Sequence, residues 1–141
     1  MDTQEQEDIQ ALLQIFLPFA EELLVKYGEF HPYAGATTIT GEFVSVGSHK
    51  TTDHPDSRKA INQLKHTAQS GSDQYLVVAV FYEAISKDGQ TGETADAIGV
   101  FVEHKESETA YEFLYAYRVD DNKTFAVDDS YGTMVPKEIF N

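Results

Sequence analysis

With 141 residues and 41% hydrophobic side chains, the chain carries enough apolar material for one core, and it is read as a single domain spanning 1–141. Asp and Glu number 24 against 10 Lys and Arg, a formal net charge of −14 that disfavours binding to nucleic-acid backbones and to anionic membrane surfaces alike. The absence of cysteine excludes disulfides, iron–sulfur clusters, thiolate zinc sites and cysteine nucleophiles.

The opening MDTQEQEDIQ is acidic and lacks the basic n-region of a signal peptide. The longest apolar run, Tyr75 to Tyr82, falls far short of a membrane span, and a cytoplasmic protein is expected. Ile9, Leu12, Leu13, Phe16, Leu17, Ala20, Leu23, Leu24 and Tyr27 recur at three and four, the stripe of an amphipathic helix closed by Gly28. Pro18 lies inside it, removing a backbone donor and crowding the carbonyl of Gln14, so a kink or break is predicted there. Pro32 forces His31 into an extended conformation, and the alternating stretch Ala34 to Val46, divided at Thr40-Gly41, reads as a hairpin. A polar segment leads to a second helix beginning near Asp53 to Pro55, with Ala60, Ile61, Leu64 and Ala68 on its apolar face and Gly71 at its end.

Three strands follow, Gln74 to Lys87, Ala95 to Lys105 and Tyr111 to Val119, joined by links too short for a crossover helix and therefore antiparallel. Phe125 to Val127 suggests one more short strand before a final turn started by Pro136. The order α-β-β-α-β-β-β predicts an α+β domain: an antiparallel sheet of five to six strands with two main helices on one face. In the strand from Gln74, Tyr75, Val77, Ala79, Phe81, Glu83 and Ile85 share one face, and Leu76, Val78, Val80, Tyr82 and Ala84 share the other. Both faces are apolar, so the strand is central and covered twice, with the second cover supplied by this chain or by a partner. Symmetric turns would set Glu83 beside Ile98, with Tyr117 on the far side of Ile98. Phe16, Leu23, Val78, Val80, Phe101 and Leu114 are the expected core.

The chain has no G-x-S-x-G elbow, no S-x-x-K and no phosphate loop opening a helix, and nothing in it calls for a cofactor. His49, Asp53, His54 and Asp56 form the densest group of metal-ligand types, but a polar loop before a helix collects such residues as caps, and no metal site is assigned. Tyr111, Phe113, Tyr115 and Tyr117 line one strand face beside Glu106, Glu108 and Glu112 rather than basic neighbours, which favours core packing or a protein interface over base stacking.

The junction Gly28-Glu29-Phe30-His31-Pro32-Tyr33-Ala34, the strand ending Val102-Glu103-His104 and the later Tyr115-Ala116-Tyr117 resemble a group of small bacterial α+β domains with a G-E-F-x-P-Y junction. Some of those are akin to immunity proteins of toxin systems, and the resemblance implies a bacterial origin and this fold class but no catalytic residues. In structural terms, Gly28 closes the helix, Phe30 and Tyr33 enter the core, and Pro32 directs the chain into its first strand.

Three functions compete. The first is an acidic binding protein, immunity- or inhibitor-like, that captures a more basic protein through Glu103, Glu106, Glu108, Glu112 and Tyr115. The second is an enzyme with a small-molecule pocket between the first helix and the meander, using Glu83, Glu103, His104 and Tyr117 as acid, base and orienting groups. The third is a homodimer through the second sheet face.

Overall fold

The structure, a computed structural model, describes residues 3–48 and 57–140. The helical stripe read from the sequence forms α1 (Thr3–Tyr27), which runs unbroken across Pro18. The break allowed for at Pro18 does not occur, and a side chain from beyond the helix bonds to the helix backbone on either side of the proline. The Tyr33 hydroxyl donates to the Phe16 carbonyl (2.6 Å) and accepts from the Ala20 amide (3.0 Å), groups four residues apart on the helix ladder and astride the proline. Burial pushes the Tyr33 phenol well above the usual tyrosine range, so it stays protonated and able to donate.

β1 (Tyr33–Thr38) and β2 (Phe43–Ser48) form the expected hairpin. α2 (Ser57–Ser70) follows; its expected start at Asp53 to Pro55, and the loop cluster His49, Asp53, His54 and Asp56, lie outside the described residues. β3 (Tyr75–Lys87), β4 (Thr94–His104) and β5 (Ala110–Val119) are consecutive antiparallel neighbours, as their short links require. The tail strand is longer than expected: β6 (Phe125–Val135) has 11 residues, because a register shift beside β5 absorbs Asp128 and the sheet edge tolerates the polar Asp129 and Ser130. All six strands form one antiparallel sheet in the order β2-β1-β3-β4-β5-β6.

The class is α+β, but the two helices do not share a face. α1 packs with Val77, Ala79, Phe81, Ile98, Val100 and Val102, whereas Leu64 and Ala68 of α2 pack with Val78, Val80 and Phe101, the alternate residues of the same strands. β3 is apolar on both sides and demands a cover on each, so two helices on one face would leave the other wet. The second cover of the central strands therefore comes from this chain. Phe16, Val78, Val80 and Phe101 are buried as expected; Leu23 and Leu114 are only half-buried, Leu114 because it stands on the α2 face of β5, outside the α2 cluster.

α1 approaches the sheet where the sheet has no side chain. A Cβ on Gly35 would stand 2.6 Å from the Phe16 ring, so glycine at this position sets the helix-to-sheet distance. Gly35→Ala should accordingly cost about 1–3 kcal/mol through overpacking. Denaturant unfolding measures this, and an unchanged midpoint would show that the ring is free to move aside.

Candidate functional site

Side chains of adjacent strand residues point to opposite faces, and Glu103 and His104 are separated in this way. Glu103 is fully buried on the α2 face, where its carboxylate accepts the backbone N–H groups of Glu138 (2.7 Å), Ile139 (3.1 Å) and Phe140. The final segment is thereby pinned across the sheet with Ile139 in the core, and the Lys65–Glu138 ion pair (2.6 Å) ties it to α2. His104 is buried on the α1 face. Its Nδ1 accepts the Glu106 amide (3.0 Å), which places the ring proton on Nε2, and Nε2 donates to the Asp8 carboxylate (2.8 Å). The Ser107 hydroxyl donates to Glu5 (2.7 Å) one turn earlier on α1. Two acids of the first helix are thus engaged in holding its start to the β4–β5 turn.

The remaining acid/base candidates do not converge with these. Glu83 pairs in register with Ile98, as expected, but Ile98 faces Tyr115; Tyr117 lies two residues beyond the predicted position. Along β4, Ile98 is six residues from His104, about 20 Å at the rise of a strand. Glu83 is at the surface, yet partial loss of water, together with Glu29 and Asp96, pushes its pKa up. Burial, with Asp96 and Glu83, pushes Tyr117 up to about 12. No group of three metal-ligand side chains able to hold a cation occurs among the described residues.

The binding candidates are also divided. Glu106 and Glu108 are exposed in the β4–β5 turn; Glu112 lies on the α2 face near Tyr82, whose ring spans Gly99; Glu103 is buried. Tyr115 alone reaches a concave surface. α1 packs on β1, β3 and β4, and the aromatic strip of β5 beside it stays half-open. A cavity of about 390 Å³ between them is walled by Gln6, Gln10 and Leu13 of α1 and floored by Phe113, Tyr115 and Gly132. A second of about 330 Å³ shares Gln10, Leu13 and Tyr115 and continues past Gln14 and Pro18 to Glu21, forming one groove along the helix.

Each lining residue has a local reason to be there. Gln6, Gln10 and Gln14 recur every four residues, so one helix edge presents three amides in a row. Tyr111 and Phe113 stack at 6.1 Å, and Gly132 on β6 lies flat beneath Phe113, where a Cβ would come within 2.6 Å of the ring. Burial raises the pKa of Glu21, the single charged residue lining the groove. The amide spacing was visible in the sequence as a four-residue repeat; Gly132, brought in from β6, had no local signal.

Comparison of the chain with family models, with curated proteins and with solved structures returns no match. No helix among the described residues is long and apolar enough to cross a membrane.

Two outcomes follow from these placements. Replacing Glu103 by Ala orphans three amides and should cost about 3 kcal/mol, the upper range for a hydrogen bond to a charged acceptor, with faster hydrogen exchange at residues 138–140. Unchanged protection there would mean that other contacts hold the tail. Because the Glu83 pKa is raised in the folded state, its contribution to stability is full below the ordinary glutamate pKa and is lost as pH rises through the folded value. Glu83→Gln should therefore raise the unfolding midpoint at neutral pH and make no difference in acid; equal effects at both pH values would refute the sign.

Proposed function

We propose that this chain is a small cytoplasmic acidic binding protein, of the immunity or inhibitor kind found in bacteria, that captures a more basic protein partner. The observation that carries the reading is the groove beside α1: an aromatic floor around Tyr115, a wall of amides, one carboxylate and no lining cation. Aromatic anchors in a partly desolvated groove are where binding energy concentrates, while the net charge of −14 steers a cationic partner toward the surface. Gln6, Gln10 and Gln14 offer both donors and acceptors, which suits the backbone of an incoming peptide. Glu106 and Glu108 in the nearby exposed turn contribute to steering. The acid/base set of the enzyme reading lends support from the other side, since Glu103 and His104 each already have structural partners.

Selection of random peptides displayed against the immobilised full chain tests this. Lys- or Arg-bearing segments with an aromatic or aliphatic anchor should be enriched. Tyr115→Ala should weaken them about 30-fold, mainly through faster dissociation. The double change Glu106→Lys, Glu108→Lys should slow association, as should added salt. Enrichment of neutral or acidic segments, or binding indifferent to Tyr115, would overturn the reading.

A further inference from the structure

Of the six strands, β2 and β6 close the ends of the sheet, and they are guarded very differently. β2 has six residues, carries a register irregularity and lies against α2. β6 has 11 residues, contains neither Pro nor Lys, and pairs with no described strand on its outer side. β6 has a bulge of its own at Asp128, but no described helix lies against it, and its length leaves a template for another strand. It also carries three of the exposed large apolar residues: Val127 (46% exposed), Tyr131 (41%) and Met134 (70%).

Their faces follow from the register with β5. Tyr117 opposes Val127 and Tyr111 opposes Met134, both on the α1 face, while Leu114 opposes Tyr131 on the α2 face. Val127 and Met134 are seven residues apart and would lie on opposite faces of a regular strand. The one-residue shift at Asp128 brings them to the same face.

We propose that β6 pairs antiparallel with β6 of a second copy about a two-fold axis at Tyr131, joining the two sheets into one. In this register Tyr131 opposes itself, Ser130 opposes Gly132, Asp129 opposes Thr133 and, beyond the bulge, Val127 opposes Met134. Val127 and Met134 thus meet across the axis on the α1 face, Tyr131, whose hydroxyl is hydrogen-bonded to Ser86 of its own chain (2.6 Å), opposes itself at the axis, and no aspartate opposes an aspartate. Asp128, at the bulge, is ion-paired to its own Arg118 (3.0 Å). A two-fold axis perpendicular to the sheet leaves both α1 helices on the same side, so the two aromatic grooves become facing halves of one trough. The pairing stands independently of partner capture and has the opposite salt dependence: two chains of −14 repel, so salt strengthens the dimer and weakens capture of a cation.

Sedimentation of the full chain over a concentration series at low and high salt tests association, and single cysteines placed in this cysteine-free chain test the register. Directly opposed residues have Cα atoms about 4.5–5.5 Å apart, within disulfide range. Residue 129 stands four residues, about 13 Å, from its own copy. Tyr131→Cys should therefore cross-link with itself and Asp129→Cys should not, whereas Asp129→Cys mixed with Thr133→Cys should give the heterodimer. Val127→Lys should raise the dissociation constant at least tenfold while leaving the unfolding midpoint unmoved at protein concentrations where both chains are monomeric. A monomer at every concentration and salt would overturn the proposal and leave the edge to a strand from a different protein. Self-cross-linking of Asp129→Cys as readily as Tyr131→Cys, or a dimer indifferent to Val127→Lys, would overturn it too.

Discussion

The Tyr33 hydroxyl, set between the Phe16 carbonyl and the Ala20 amide, is the contact on which the arrangement of α1 depends. Both groups flank Pro18, and backbone groups in a dry interface are costly unless they are hydrogen-bonded. The phenol satisfies two of them at once, and its ring stacks on Phe81 of β3 at 4.8 Å. Helix, first strand and central strand are therefore joined through one side chain. The G-E-F-x-P-Y junction has a structural meaning in that light: Gly28, at φ 75°, ends the helix, Phe30 and Pro32 are buried, and Tyr33 returns to the helix that precedes it.

β4 closes by placing a carboxylate on one face and an imidazole on the other. Each of these buried polar groups is matched by partners far along the chain: Glu103 by the amides of 138–140, and His104 by Asp8. Such groups are tolerated in a core only when satisfied, so they fix which segments lie over which face. Glu103 commits the end of the chain to the α2 side, and His104 commits the beginning to the α1 side. The terminal segments become covers for opposite faces of one sheet.

The covers are centred on β3 and do not extend across the sheet. α1 packs against β1, β3 and β4, and α2 against β1, β2 and β3, which leaves β5 half-open and β6 exposed. The groove and the free edge are two consequences of that offset. A six-stranded sheet is wider than one helix, at about 4.8 Å per strand against a helix diameter of about 10–12 Å, so some apolar surface at its end stays open unless another element arrives.

Local periodicity in the sequence was enough to determine the first helix, the hairpin, the antiparallel meander and the two apolar faces of β3, because spacings of 3.6 and 2 are properties of neighbouring residues. It also showed the run of Tyr111, Phe113, Tyr115 and Tyr117 on β5. It did not determine that α2 crosses to the opposite face, since the helix stripe is the same whichever side of the sheet it meets. Nor did it show that Glu103 and His104 serve separate faces, that Tyr117 passes Ile98 by two residues, or that β6 extends to 11 residues through a bulge. These depend on register and on partners 30 to about 100 residues away, as with Glu103 and Ile139 or His104 and Asp8, which only the packed chain brings within hydrogen-bonding distance.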